Sequence, residues 1–301
     1  MRSIDVMKGK RFSAREMARA VFFLDRPHRK SGSAIRAAFE AFSSLLPSDR
    51  SFSINDPGGD WKELPGTDAT RTAVARRLDV TAADPNCSMS VCSNDSNVPD
   101  YTFEYRGYAL EDPSFREWAG LVFVTFPRND LHAKGDDFRS IFINLITGLP
   151  IFAAYATLSM EGDQRLIQKI AKRYPGLDIS SVPSIAKDIG RRAPGAFWLN
   201  AYKGELRDAV LRQIELGTTP AGVHVARVEP DIALVLLSSE PTRLDKNAGE
   251  SPSGYQWLAT NLLACGCLHV PRKVTYFEDE DDLEDAEAQK AWHLRFTRAD
   301  T

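Results

Sequence analysis

The chain has 301 residues, of which 43% are hydrophobic and 26% charged, and its formal net charge at pH 7 is -3. These values are typical of a water-soluble globular protein of one large or two ordinary domains, and no apolar run approaches the ~18 residues that cross a bilayer. Four cysteines in so long a chain do not make a disulfide framework. Since the basic N-terminus also lacks the apolar core of a secretory signal, we expect a cytoplasmic protein.

Helix and strand patterns follow one another irregularly in the first half of the chain. Apolar residues at helical spacing predict helices at residues 33–46, 70–78 and 136–146. Strands are predicted at residues 21–24, 101–108, 119–126 and 148–160. Between residues 81 and 99 the chain is polar and rich in turn-forming residues, which indicates a connection.

The second half continues the same mixture. Helices are predicted at residues 163–174, 203–215 and 255–263, and strands at residues 197–201, 223–228, 232–238 and 273–277. This irregular order favours an α+β fold with mixed or antiparallel sheets and packed helices over a doubly wound parallel sheet. We expect residues 1–301 to form a single unit, with two similar halves that divide near residue 150.

Charge is distributed unevenly along the chain. The first 50 residues carry eleven Lys and Arg against five Asp and Glu, whereas residues 278–287, EDEDDLEDAE, carry eight acids and no base. Such an acidic run is either a solvated loop or a surface that lies in a partner's basic groove. The basic N-terminal charges are scattered rather than interleaved with aromatic residues, so we expect no direct nucleic-acid binding.

The known catalytic signatures are missing from the sequence. It has no GxSxG, HExxH, P-loop or GxGxxG motif, and Ser184 with Lys187 matches the SxxK pattern without its usual companions. Cys265, Cys267 and His269 raise a zinc hypothesis, but only the distant Cys87 and Cys92 could complete four ligands. We therefore expect buried, unreactive thiols, no metal and no cofactor. The histidines are expected to be structural or surface residues. The five tryptophans are expected to anchor the core, with an interface as the alternative position for some of them.

Several short motifs follow one another in a definite order and spacing from about residue 100 onward. They are Tyr101-Thr-Phe103, Leu121-Val-Phe-Val-Thr-Phe-Pro127, Leu149-Pro-Ile-Phe-Ala-Ala-Tyr155, Arg173-Tyr-Pro-Gly-Leu-Asp178, Ala196-Phe-Trp-Leu-Asn200, Tyr255-Gln-Trp-Leu258 and Trp292-His-Leu-Arg-Phe296. By their order and spacing, the chain resembles the type VI immunity family. One position departs from the pattern: Leu244-Asp245 stands where the family has a glycine-aspartate turn.

The resemblance implies a stoichiometric inhibitor and not an enzyme. Members of the family are bacterial antitoxins encoded beside type VI secretion effectors, and several of the cognate toxins look like nucleases. We therefore expect a protein partner, the product of an adjacent gene, whose active site or DNA groove this chain occludes. An enzyme of unrecognised type or a small-ligand-binding module is the alternative, and a deep pocket with convergent polar groups and shifted pKa values would favour it.

The acidic run supplies the hypothesis for the partner-binding residues. We expect its first five acids to face the toxin's phosphate-binding groove: Glu278, Asp279, Glu280, Asp281 and Asp282. Aromatic or arginine anchors are expected elsewhere on the surface, with the turn at residues 28–31 and the segment 105–108 as candidates.

Overall fold

The fold is that of a computed structural model, described for residues 3–9, 11–48, 50–55, 59–93, 98–129, 138–271 and 290–297. Eleven strands in these ranges form one antiparallel sheet. The strands are β1 (Asp5–Lys8), β2 (Arg11–Leu24), β3 (Phe52–Asn55), β4 (Trp61–Leu64), β5 (Cys87–Ser93), β6 (Thr102–Gly107), β7 (Gly120–Pro127), β8 (Ile151–Gly162), β9 (Leu199–Lys203), β10 (His224–Glu229) and β11 (Ile232–Leu236).

Helices cover much of this sheet. They are α1 (Gly32–Ser43), α2 (Gly66–Val80), α3 (Phe138–Gly148), α4 (Gln164–Arg173), α5 (Val182–Asp188), α6 (Gly204–Glu215) and α7 (Ser253–Ala264). The expected α+β class, with an antiparallel sheet and packed helices, is confirmed. Among the helices in the described ranges, none is both long enough and apolar enough to cross a bilayer.

The centre of the sheet is the pair β2 and β8. The strand order is β10-β11-β9-β8-β2-β7-β6-β5-β3-β4, and β1 pairs with the start of β2. Strands β1 to β7 therefore lie on one side of the β2–β8 pairing and strands β9 to β11 on the other. The two central strands pair antiparallel from Ala14 opposite Gly162 to Leu24 opposite Ile151. The division of the chain near residue 150 stays a prediction.

In the β3–β6 part of the sheet, the alternation of buried and exposed residues along each strand shows which face the helices cover. Phe22 of β2 stacks on Phe142 of α3, and Phe103 of β6 packs against Phe39 and Phe42 of α1. In β5 and β6 the residues on this face are buried, whereas their neighbours in sequence are half-buried or exposed. The helices thus cover one face of these strands, as period-2 burial requires.

Several predicted elements need correction. β2 extends well beyond the predicted residues 21–24, because its charged residues Arg15, Glu16 and Arg19 form ion pairs with residues of other segments of the chain. The region between residues 81 and 99 contains β5, and β1, β3 and β4 were not predicted. The other predicted elements are present with shifted ends, except that the strand predicted at residues 273–277 lies outside the described residues.

Candidate partner-binding surface

The residues proposed to bind the partner fall outside the described part of the chain. Glu278, Asp279, Glu280, Asp281 and Asp282 belong to the undescribed residues 272–289. Their role therefore stays a prediction, and other surfaces have to be built from the residues that the structure places.

The two segments proposed for anchors meet in the core. His28 Nδ1 lies 2.9 Å from the Tyr105 hydroxyl oxygen, and His28 Nε2 lies 2.8 Å from the carbonyl oxygen of Thr81. His28 is 2% exposed and Tyr105 is fully buried, and burial raises the pKa of Tyr105. His28 and Tyr105 therefore join the loop after β2 to β6. Arg29 and Lys30 of the same turn are exposed and Arg106 is half-buried, so partner contact by these two segments stays a prediction.

The SxxK pattern does not bring its lysine to its serine. Both residues lie on α5, where Ser184 Oγ is 3.5 Å from Ser181 Oγ. Lys187 Nζ lies 5.5 Å from the centre of the Trp118 ring, which is an arrangement typical of a cation–π contact. The lysine is therefore used for packing against the loop before β7.

The cysteines are all free thiols. Cys87 is buried, whereas Cys92, Cys265 and Cys267 are half-buried, so burial of all four was predicted wrongly. Burial raises the pKa of Cys92 to about 11, and burial together with Cys265 raises the pKa of Cys267 to about 12. These two thiols are protonated at neutral pH, which is typical of unreactive cysteines. Within the described ranges, no three His, Cys, Asp or Glu residues are grouped to hold a metal ion.

A buried ion network ties the centre of the sheet to the segment that follows α4. Arg19 Nη1 of β2 donates to Asp178 Oδ2 over 2.9 Å, and Arg19 also pairs with Glu161 of β8. Asp178 further accepts a 2.7 Å hydrogen bond from the Tyr155 hydroxyl and a 2.8 Å bond from the backbone N–H of Ser180. Burial opposes ionisation of Asp178, but Arg19 and these donors outweigh it and hold the pKa of Asp178 below its usual value.

Glu16 forms a second buried group near the start of β2. Its carboxylate pairs with Arg128, which follows β7, and with Arg243 Nη1 at 3.3 Å. It also accepts a 2.9 Å hydrogen bond from the backbone N–H of Ile4. Because removal of one member would leave a buried charge unpaired, these contacts fix three distant segments to β2.

A cavity of about 1040 Å³ lies between α4, α5, the loop at residues 244–252 and the residues 291–296. Its lining includes Lys172, Ser184, His269, His293 and Arg295. Burial and the neighbouring His269 lower the pKa of His293 to about 3, and burial lowers the pKa of Arg295 to about 10. This cavity is the size of a ligand pocket.

The side of β3–β6 that faces away from α1 is partly exposed, and we call it the open face. Cross-strand register places its residues together: Trp61 and Glu63 of β4, Ser88, Ser90 and Cys92 of β5, Thr102, Glu104 and Arg106 of β6, and Phe123 of β7. These nine residues are half-buried or exposed, while their neighbours in β5 and β6 point into the helix-covered core. Between β4 and β5 the rows pass through the buried Ser53 and the half-buried Asn55 of β3.

Trp61 is the most prominent side chain of the open face. It is 55% exposed on β4, which is an edge strand of the sheet. The expectation that the tryptophans anchor the core holds for Trp198, which is 3% exposed, and is wrong for Trp61. Sequence reasoning missed the open face because β3, β4 and β5 were not predicted. The alternation of Ser88, Met89, Ser90 and Val91 is the signal that could have revealed it.

Comparisons with known proteins agree with the resemblance seen in the sequence. The family model described as "Type VI immunity for VRR-NUC" matches residues 34–296, so the match begins well before the quoted motifs. The solved structure of the Pseudomonas aeruginosa T6SS protein PA0821 is similar, with a TM-score of 0.80, 15% sequence identity, and coverage of 99% of this chain and 88% of that chain. No curated protein matches the sequence. At that identity, the solved structure supports the fold alone.

Proposed function

Since the chain belongs to the type VI immunity family for VRR-NUC, we propose that it binds and inhibits a cognate VRR-NUC effector, the product of an adjacent gene. The observation that carries this proposal is the match of the family model to residues 34–296, which include most of the sheet and its helices. In this proposal the protein acts in the cytoplasm, occludes the effector's active site or DNA groove, and catalyses no reaction.

Inhibition by occlusion requires a rigid surface of ordinary interface size, on the order of 800 Å² on each partner. The single sheet with its buried ion networks provides such rigidity, because Arg19, Asp178 and Glu16 hold distant segments together in the core. A surface fixed in this way loses little conformational freedom when it binds.

We propose that the acidic run guides the approach of the effector. Glu278, Asp279, Glu280, Asp281 and Asp282 give this part of the sequence a dense negative charge, and a nuclease groove that holds DNA phosphates is positively charged. Opposite charges accelerate encounter, and salt weakens that acceleration. Replacement of the five acids by Ser and Asn should slow association and flatten its dependence on salt.

The test of the proposed function is a titration of nuclease activity. The purified VRR-NUC effector is mixed with increasing amounts of this protein, and DNA cleavage and complex formation are measured together. Inhibition that is complete near one equivalent, with a stable complex, supports the proposal. Inhibition at catalytic amounts would indicate an enzyme, and an effector that neither binds nor loses activity would refute the proposal. Rescue of cells that express the effector provides the matching test in vivo.

A second candidate function is favoured by the cavity between α4, α5 and residues 291–296. Its volume of about 1040 Å³ fits a small organic molecule, and its lining places the cationic Lys172 and Arg295 beside the acids Asp188 and Glu250. A thermal-shift screen of carboxylates and phosphates tests this candidate, because a ligand that binds the folded state raises the melting temperature. Absence of any shift, together with one-to-one inhibition of the effector, would leave the immunity function alone.

A further inference from the structure

We infer that the open face is the surface on which the nuclease effector docks, with Trp61 as an anchor for a cationic side chain of the effector. This inference rests on the proposed function and adds the location of the interface and the chemistry of the contact. It is independent of residues 278–282, which are expected to affect the approach of the partner.

The shape of the open face fits a protein partner. Ser88, Ser90 and Cys92 present short side chains along one face of β5, and Thr102 of β6 lies opposite Cys92. Opposite Ser88 and Ser90 stand the paired Arg106 and Glu104. Short side chains allow a partner's backbone to come close, and few rotamers have to be fixed when they are covered. The face is supported from behind by the fully buried Met89, Phe103 and Tyr105, so it is rigid.

Trp61 is the side chain on this face that is most typical of an interface anchor. An exposed tryptophan leaves a large apolar surface in water, and tryptophan is among the residues most enriched in binding hot spots. At 55% exposure, Trp61 has much of its ring available for contact. Trp61 pairs with Asn55 of β3, so it stands at the outer end of a row of open-face residues that crosses the strands.

The charges around Trp61 point to the chemistry of the partner group. Glu63 lies two residues further along β4, on the same face and exposed to solvent, whereas the exposed Lys62 between them belongs by strand alternation to the opposite face. The acid Glu104 is paired with Arg106, so that pair adds little net charge. An exposed aromatic ring beside an exposed carboxylate is suited to a guanidinium or ammonium group, through cation–π contact and ion pairing. A nuclease that holds the DNA backbone carries such groups around its active site.

The test measures binding kinetics of the full chain with a purified, catalytically inactive effector. Trp61→Ala should weaken binding about 30-fold, as expected for a hot-spot residue, with most of the change in the dissociation rate. Glu63→Lys should weaken binding about tenfold, since it places like charges together. Ser88→Arg adds a bulky side chain to the exposed start of β5 on the open face and should weaken binding at least as much as Trp61→Ala.

Matched controls come from the opposite half of the sheet. Leu216→Ala removes a side chain that is 82% exposed, and Glu215→Lys reverses an exposed acid at the end of α6. Both controls should bind within twofold of the wild-type protein. Melting temperatures of all variants show whether each one is folded, and Ser88→Arg and Glu63→Lys report on the face if Trp61→Ala is unstable.

The outcomes separate the inference from the proposed function. If the wild-type protein binds the effector and the three open-face variants bind equally well, the interface lies elsewhere and the immunity function stands. If the wild-type protein does not bind the effector, the proposed function fails and the docking surface fails with it. If the controls lose affinity to the same extent as the open-face variants, the open face has no special role and the inference is overturned.

Discussion

Arg19 of β2 and Asp178, which follows α4, form a 2.9 Å ion pair in the centre of the molecule, with both side chains less than a tenth exposed. The pair joins the central strand to the segment that runs beside β8, where Asp178 and Ser159 form a parallel bridge. The Arg19 guanidinium also pairs with Glu161, so one arginine forms ion pairs with two acids from the second half of the chain.

We expect Asp178→Asn to lower the free energy of unfolding by about 3–5 kcal/mol, because it leaves Arg19 partly unpaired in a buried site. Urea denaturation measures this change. Arg19→Met and the double variant Arg19→Met/Asp178→Asn complete a double-mutant cycle. A double variant that loses the full sum of the two single effects would show that the pair does not interact.

Asp178 also gives the protein a dependence on acidic pH. Its folded-state pKa is lowered, so its contribution to stability is complete above the unfolded-state pKa of about 3.9 and is lost as pH falls through the lower folded-state pKa. Unfolding free energies measured between pH 5 and pH 2 should therefore fall less steeply for Asp178→Asn than for the wild-type protein. Equal slopes would contradict the assignment.

His293 should affect the stability of the folded protein at higher pH than Asp178 does. Burial and His269 lower its folded-state pKa to about 3, so it stays neutral in the folded protein while the unfolded chain takes up a proton below about pH 6.5. Its contribution to stability is therefore present above pH 6.5 and declines as pH falls from there towards 3. We expect His293→Gln to reduce the loss of melting temperature between pH 7 and pH 5, with the exposed His224→Gln as the control.

Leu244 occupies a backbone conformation that favours glycine. Its φ of 57° is the one positive value among the non-glycine residues that the structure describes, at the position where the resemblance implies a glycine-aspartate turn. The left-handed conformation costs a residue with a Cβ about 1–2 kcal/mol. Its side chain is 3% exposed and belongs to the core, so strain and burial oppose each other here.

We therefore expect Leu244→Gly to be at least as stable as Leu244→Ala, the reverse of the usual order at a buried position. Both variants should be less stable than the wild-type protein, because both lose the buried side chain. Melting temperatures decide the order, and a glycine variant that melts well below the alanine variant would show that the turn is not strained.

We expect the Cys92 thiol to react slowly with alkylating reagents, although it lies on the open face. Since burial raises its pKa to about 11, its thiolate fraction at pH 8 is about two orders of magnitude below that of an ordinary cysteine with a pKa near 8.5. Mass spectrometry of peptides after timed alkylation measures each cysteine separately. We expect the rate at Cys92 to rise with pH well beyond pH 9, and rapid labelling at pH 7 would contradict the burial.

The sequence predicted those elements that carry a strong apolar pattern. Helix α1 buries residues at helical spacing, whereas strands β7, β8 and β11 are apolar runs that are buried along almost their whole length. All four were found near their expected positions. The mixed order of elements also predicted the α+β class, but the strand order could not follow from it, because pairing between β2 and β8 depends on contacts between distant segments.

The elements that were missed owe their structure to tertiary contacts. The charged residues of β2 can be buried in the sheet because acids and bases from other segments form ion pairs with them. β4 has an edge position with three exposed residues, so it carries little apolar pattern. The open face could not be predicted without β3, β4 and β5, and its one aromatic edge residue, Trp61, gives no signal in the sequence that separates it from a core tryptophan.

The pairing of β2 with β8 also determines how much of the chain has to be synthesised before the sheet can form. Ala14 finds its partner only at Gly162, and the sheet is extended by β9 to β11 still later in the chain. A ribosome adds roughly 5–20 residues per second, so about half of the chain has to be made before β2 can pair with β8, and such non-local pairing is slow. Under the proposed function, the inhibitor therefore has to be present as finished molecules before an effector arrives.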